Sequence, residues 1–176
     1  MSQVTSQDQD LWVNWDEYHL LIERLALSVH ESGWEFDQIL CLARGGLRVG
    51  DVFSRLFDRP LAILSTSSYR GEGGTDQGEL ILSASISSTT GPLRGKILLV
   101  DDLVDSGATL SAVQSRLRVQ FPEVSEIRSA VLWWKQRSAF VPDFYVHRLQ
   151  HDPWIHQPFE RYDTLSPKDI ARLAKK

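Results

Sequence analysis

The chain has 176 residues, enough for one domain with a sizeable core. Its 42% hydrophobic and 24% charged residues are those of a globular protein, and a net charge of −4 weighs against a nucleic-acid partner, whose binders carry a basic footprint. The single cysteine, Cys41, excludes an internal disulfide framework and a cysteine-rich zinc site, and its place in the apolar run 39–42 is that of a buried thiol.

Taken in order, residues 1–10 are polar and read as a disordered tail. No basic-then-apolar start suggests a signal peptide and no run of 18 apolar residues suggests a membrane span, so a cytoplasmic protein without membrane contact is expected. Asn14 is placed to cap a helix with Glu17 as its capping-box partner. Tyr18, Leu21, Ile22, Leu25 and Val29 follow at helical spacing, and Gly33 can end the helix. Ile39–Leu42 predicts a strand buried on both faces. It runs into Ala43-Arg44-Gly45-Gly46 and then a helical pattern, Leu47, Val52, Phe53, Leu56 and Phe57. Arg44, at a strand's carboxyl end, is placed to bind an anion through its fork of donors; taken alone, these residues favour a glycine turn with a surface arginine.

Leu61–Ser65 predicts a third strand, followed by Ser67-Ser68-Tyr69-Arg70 and the glycine-rich GEGGTDQG. That run lacks the GxGxxG spacing of a dinucleotide site, and a loop of this length is functional or disordered. Glu79–Ile86 can return as the second strand of a hairpin, and 87–96 is rich in turn residues. The apolar run Ile97–Val100 then meets Asp101 and Asp102, followed by Asp105 and the small residues Ser106, Gly107, Ala108 and Thr109. A helix with Leu110, Val113 and Leu117 begins there and runs to Gln120, before Phe121-Pro122 breaks it.

In an open α/β sheet, ligands bind at the carboxyl ends of strands. Small residues opening a helix aim N–H groups at an anion, and neighbouring carboxylates suit hydroxyls or magnesium. A solvated surface turn does not explain Asp-Asp at the end of a buried strand, where desolvation is costly without partners. The stretch therefore predicts a site for a phosphate joined to a polyol.

Ile127–Trp133 predicts the next parallel strand, ending in Trp134-Lys135-Gln136, and Phe144–Val146 a short last one. By itself Lys135 reads as a solvated strand terminus, and Trp154 as a core residue. His147 and His151, with Asp152 beside the second, make a poor metal site, since on a strand that spacing places the histidines far apart and no third ligand is evident. Ser166-Pro167-Lys168-Asp169 caps a final short helix.

Residues 97–109, ILLVDDLVDSGAT, resemble the phosphoribosyl-pyrophosphate (PRPP) motif of type I phosphoribosyltransferases. Ala43-Arg44-Gly45-Gly46 is similar to that family's pyrophosphate loop, which carries a cis peptide just before the arginine. Ser68-Tyr69 is similar to the start of its mobile lid. The lid arginine of the family is missing, with Gly78 near its position, and Arg70 is the candidate substitute. Trp154-Ile155-His156-Gln157-Pro158-Phe159-Glu160 resembles a C-terminal segment of the xanthine–guanine enzymes, with Glu160 in place of their aspartate, and Trp15-Asp16 also sits as it does there.

The resemblance covers residues 11–160 and implies a single domain over 1–176: an α/β, type I phosphoribosyltransferase fold, mainly parallel sheet flanked by helices, with a lid hairpin and a small C-terminal hood. It implies transfer of the 5-phosphoribosyl group from PRPP to a 6-oxopurine (guanine, xanthine or hypoxanthine), releasing pyrophosphate, in purine salvage. Arg44, Gly45 and Gly46 would take pyrophosphate, Ser68 and Tyr69 would belong to the lid, and Asp101 and Asp102 would hold the ribose hydroxyls. Asp102 would also act through the shell of a Mg2+ cofactor. Ser106, Gly107, Ala108 and Thr109 would cradle the 5′-phosphate, Asp105 would accept the purine proton, and Lys135, Trp154 and Ile155 would select the base. A homo-oligomer, dimer or tetramer, is implied as well. The rival readings are a transferase for another nucleobase and a PRPP-sensing regulator of the same fold.

Overall fold

The computed structural model describes residues 10–68 and 80–175. In chain order the elements are β1 (Leu11–Trp12), α1 (Trp15–Glu31), β2 (Gln38–Ala43), α2 (Leu47–Phe57), β3 (Leu61–Ser68), β4 (Leu80–Leu82) and β5 (Ser87–Ser88). They continue with β6 (Gly95–Val100), β7 (Leu103–Val104), α3 (Ala108–Gln120), β8 (Val124–Lys135), β9 (Phe144–Leu149), β10 (Ile155–His156), α4 (Arg161–Thr164) and α5 (Pro167–Leu173). Both expected caps are present. The Asn14 side chain accepts from the Glu17 N–H at 2.9 Å and the Glu17 carboxylate accepts from the Asn14 N–H at 2.9 Å. Ser166 and Asp169 make the same reciprocal pair at α5.

The main sheet runs β4-β3-β2-β6-β8-β7, with β5 also on β3 and β9 also on β8. Strands β2, β3, β6, β7, β8 and β9 pair in parallel, while β4 and β5 lie antiparallel to β3. Alternation along the buried strands sorts the core into two faces. Ile39, Cys41, Leu98 and Val100 pack with α1 and α2 on one face. Leu40, Leu42, Ile97 and Leu99 pack with Leu110, Val113 and Leu117 of α3 on the other. Because the central strands are parallel, β2, β6 and β8 present their carboxyl ends, at Ala43, Val100 and Lys135, on one side of the sheet.

Three differences from the sequence reading have physical causes. The return strand of the hairpin is only β4, and the chain then crosses to β5, which pairs lower on β3. The Ser83 N–H still bonds the Ser65 carbonyl of β3 at 2.9 Å, while the carbonyls of Ser83 and Ala84 accept from Arg116 of α3 instead of a neighbouring strand. Strand β8 extends through Lys135, because β9 pairs with it as far as Lys135↔Leu149. The C-terminal hood is partly built from the start of the chain, since β1 and β10 form a separate two-stranded parallel sheet. Strands of two residues carry no periodicity to read.

Candidate active site

Asp101 and Asp102 follow directly on β6, half-buried at the sheet's carboxyl edge. The Asp102 N–H donates to Asp101 Oδ1 at 3.0 Å. The Asp102 carbonyl accepts from the N–H groups of Leu132 and Trp133 at 3.0 and 3.2 Å, which pins this backbone to β8. Desolvation, reinforced for Asp101 by the charge of its neighbour, pushes both carboxyls above the usual aspartate range. The Gln157 amide, buried in the hood, donates to Asp102 Oδ2 at 2.5 Å and favours its charged form. Two adjacent carboxylates held this way favour a positive or hydroxyl-bearing partner.

The Arg44 loop closes over this pair. The Ala43–Arg44 peptide is cis, as expected from the resemblance. A Cβ on Gly45 would lie 2.6 Å from Asp102 Cγ, and one on Gly46 would lie 2.7 and 2.8 Å from the carbonyl oxygens of Val100 and Leu42. Only glycine lets this loop approach the acids so closely. The Arg44 side chain reaches outward, 88% exposed, with its guanidinium 3.6 Å from Asp163 of α4. A pair that open is easily exchanged for another anion.

On the other side of the acids, Ser106–Thr109 opens α3. Gly107 takes φ +84, and a Cβ there would lie 2.5 Å from Ser138 Oγ and 2.9 Å from the Phe140 nitrogen. The Ser106 hydroxyl accepts from the Ala108 N–H at 3.3 Å. Ser106 and Ala108 are exposed, and the first turn of α3 holds no acidic residue that would compete for its positive end.

The third part is a pocket of about 350 Å³ lined by Asp105, Lys135, Arg137, Asp152, Pro153 and Trp154, with Asp10 at its rim. Lys135 is buried, not the solvated terminus its position alone suggests, with Nζ 2.5 Å from Asp152 Oδ1 and 3.5 Å from Asp105 Oδ1. Arg137 pairs with the same two carboxylates, at 2.9 Å from Nε to Asp105 and 2.6 Å from Nη1 to Asp152. Trp154 is half exposed beside them, while Ile155 is buried. The Leu11 N–H bonds the Trp154 carbonyl at 2.8 Å and the Val13 N–H bonds that of His156 at 3.0 Å. A parallel ladder in this register turns the N–H and C=O of Ile155 itself away from β1.

The fold thus brings Arg44, Gly45, Gly46, Asp101, Asp102, Asp105, Ser106, Gly107, Ala108 and Thr109 to one edge of the sheet, with Lys135, Trp154 and Ile155 beyond Asp105. The Ser68 backbone ends β3, paired with Leu80, and Tyr69, Arg70 and Gly78 lie outside the described residues. Reading the sequence missed Arg137, Asp152 as a pocket residue, and Gln157. Gln157 stands inside the quoted hood segment, and Arg137 lies two residues beyond Lys135, but only the fold shows what each touches. Among the described residues no cluster of three or more metal-ligating side chains occurs, and no helix is long and apolar enough to cross a membrane.

Comparison with known proteins agrees with this geometry. The family model of the phosphoribosyl transferase domain matches residues 14–164. A xanthine-guanine phosphoribosyltransferase of Gluconobacter oxydans is 29% identical over 156 residues, which is 88% of this chain and 87% of that protein. The crystal structure of a purine phosphoribosyltransferase from Pyrococcus horikoshii superposes with a TM-score of 0.70 at 28% identity, covering 85% of this chain and 93% of that one. A Helicobacter pylori xanthine-guanine-hypoxanthine phosphoribosyltransferase shares the fold, with a TM-score of 0.72 at 22% identity over 96% of this chain and 100% of that one. With a glycine loop, an acid pair and a small-residue helix start meeting on a mainly parallel sheet, and a family model matching residues 14–164, this chain belongs to the phosphoribosyl transferase family of glycosyltransferases, with the type I fold.

Proposed function

We propose that the protein, acting as one domain, transfers the 5-phosphoribosyl group of PRPP to a 6-oxopurine of the guanine, xanthine or hypoxanthine kind, releasing pyrophosphate, as a cytoplasmic step of purine salvage. The observation that carries this reading is the pair of contacts on Asp102. Gly45 of the leaving-group loop lies against one side of its carboxylate, and Gln157, two residues beyond Ile155, bonds it from the base side. The order along the site is leaving group, ribose, base, which is the order of groups in the displacement.

In this reading Arg44 exchanges its open pair with Asp163 for pyrophosphate, helped by the backbone of Gly45 and Gly46. Asp101 and Asp102 take the ribose hydroxyls, and the N–H groups and hydroxyls of Ser106 to Thr109 take the 5′-phosphate. Displacement at an anomeric carbon passes through an oxocarbenium-like state, so the protein's work is to hold the reactants in line and manage charge. Asp105 accepts the proton of the purine nitrogen as the new bond forms. Lys135 donates to the 6-oxo group, Trp154 stacks on the ring, and the outward carbonyl of Ile155 accepts from the base. Ser68 and Tyr69 begin the lid over the site. The adjacent carboxylates fit magnesium, which binds through one or two carboxylates plus substrate oxygens; Asp102 would hold it, directly or through water. When bound, the ion offsets the charge of pyrophosphate. A homo-oligomer is part of the proposal.

The test is incubation with magnesium, PRPP and, separately, guanine, xanthine, hypoxanthine, adenine and uracil. Pyrophosphate release with one or more 6-oxopurines is expected. Release with uracil alone would replace the proposed base, and release with none of the five would overturn the enzymatic reading in favour of a PRPP-sensing protein.

A further inference from the structure

Residues Asp105, Lys135, Asp152 and Arg137 form a closed ring of alternating charge. Lys135 and Arg137 each touch both carboxylates, and both oxygens of Asp152 are engaged, Oδ1 by Lys135 and Oδ2 by Arg137. The contacts on Asp105 are one-sided. Arg137 Nε, Arg137 Nη2 and Lys135 Nζ all meet Oδ1, leaving Oδ2 for a bound molecule. The ring joins two parts of the chain that are remote in sequence, the loop after β7 and the segment leading into Trp154.

Arg137 stands on a fixed platform. Its turn is closed by the Ser138 N–H on the Lys135 carbonyl at 2.9 Å. The Gln136 N–H bonds the Leu149 carbonyl at 2.9 Å, and the Ala139 N–H bonds the Ser106 carbonyl at 3.3 Å. The backbone carrying Arg137 is therefore held between β9 on one side and the loop opening α3 on the other, and its guanidinium lies between Asp105 and Asp152. A planar fork with fixed donors orients a carboxylate in a way that a lysine point charge does not.

From this geometry we infer that Arg137 is a positioning residue. It fixes the rotamer of Asp105 so that Oδ2 faces the base, and through Asp152 it holds Trp154 at the matching distance. Ordinary exposed ion pairs contribute little. This one acts through orientation, where a displacement of about 1 Å at the reacting groups costs about 100-fold in rate. The inference rests on the transferase reading above.

The test compares Arg137→Ala, Arg137→Lys and Asp152→Asn with the parent enzyme, using steady-state pyrophosphate release with PRPP and purine varied separately. In Arg137→Ala, kcat should fall about 10- to 100-fold and the purine KM should rise, while the KM for PRPP stays within about twofold. Added guanidinium should restore part of the lost kcat in Arg137→Ala, and an equal concentration of sodium should not. Arg137→Lys should recover little, because it lacks the fork. Asp152→Asn should raise the purine KM with PRPP binding unchanged, and it carries the test if Arg137→Ala does not fold. An Arg137→Ala enzyme with kcat within about twofold of the parent would overturn the inference. So would a loss shared equally by both substrates without guanidinium rescue. Absence of turnover in the parent enzyme would instead overturn the transferase reading itself.

Discussion

Replacing Gly45 by alanine should separate catalysis from stability. The new Cβ would meet Asp102 Oδ1 first and lie 2.6 Å from Cγ and 2.7 Å from Oδ2, where ordinary contact begins at 3.4 Å, so the carboxylate must retreat by about 1 Å. The backbone can accept alanine, since Gly45 is not among the positive-φ glycines, and the obstructing group is the end of a side chain. Rotating that side chain off its rotamer costs about 0.5–1.5 kcal/mol. Alanine restores about 0.4–1 kcal/mol by restricting the unfolded chain, so the net change in stability is close to zero. The functional change is large. Asp102 has Gln157 on its other side at 2.5 Å, and a shift of this size breaks that alignment and moves the ribose contact. A misplacement of this order costs about 100-fold. The assay is kcat/KM for PRPP from pyrophosphate release, alongside thermal unfolding of the same preparation. A kcat/KM within about threefold of the parent would refute the reasoning, since the acid would then have tolerated the intrusion. A Tm lowered by more than about 8 °C would show that backbone, not carboxylate, gave way.

Gly107→Ala should behave oppositely. Its Cβ meets the Phe140 nitrogen at 2.9 Å at a φ of +84, so strain of about 1–2 kcal/mol adds to overpacking of about 1–3 kcal/mol; an unchanged urea midpoint would count against this. Trp154→Ala should weaken purine binding by about 1–3 kcal/mol if the ring stacks on the base, read as a raised purine KM with the PRPP KM unmoved. Asp101→Asn should raise Tm near neutral pH while abolishing PRPP use. Burial and the Asp102 charge lift the Asp101 carboxyl above its unfolded value, so the stability of its protonated form is lost as pH rises through the folded value. The gain from asparagine should therefore be present at about pH 8 and vanish below about 3.9, the unfolded value, where the parent carboxyl is also neutral. Equal gains at both pH values would be evidence against the argument.

Much of this site was legible because its chemistry is local in sequence. A buried strand, two acids, small residues and a helix start lie within thirteen consecutive positions, and the strand–turn–helix at Arg44 repeats the device. Burial on both faces shows itself as unbroken apolar runs, so β2 and β6 could be seen directly. What could not be seen depends on contacts between remote segments. Lys135 reads as a surface lysine until Asp152 and Asp105 are brought to it from two other loops. Gln157 reads as an ordinary polar residue until the hood folds over Asp102. The carbonyls just after β4 are taken by Arg116, a residue of another element 32 or 33 positions away, which the local sequence does not show.

The pairing of β1 with β10 sets an order on how the protein can be completed during synthesis. The Arg44 loop and the Asp101–Asp102 pair both lie within residues 38–135, which emerge together from β2 to β8. The segment carrying Trp154 and Ile155 is held through the pairing of β1 with β10, with Leu11 bonded to Trp154 and Trp12 stacked on His156 at 3.7 Å between ring centroids. Until His156 has left the ribosome, β1 has no β10 to pair with and Trp12 lacks its stacking partner His156. A nascent chain can therefore bring the Arg44 loop to the acid pair before the segment carrying Trp154 is in place. An N-terminal fusion that obstructs residues 10–13 should reduce base discrimination before it affects the fold.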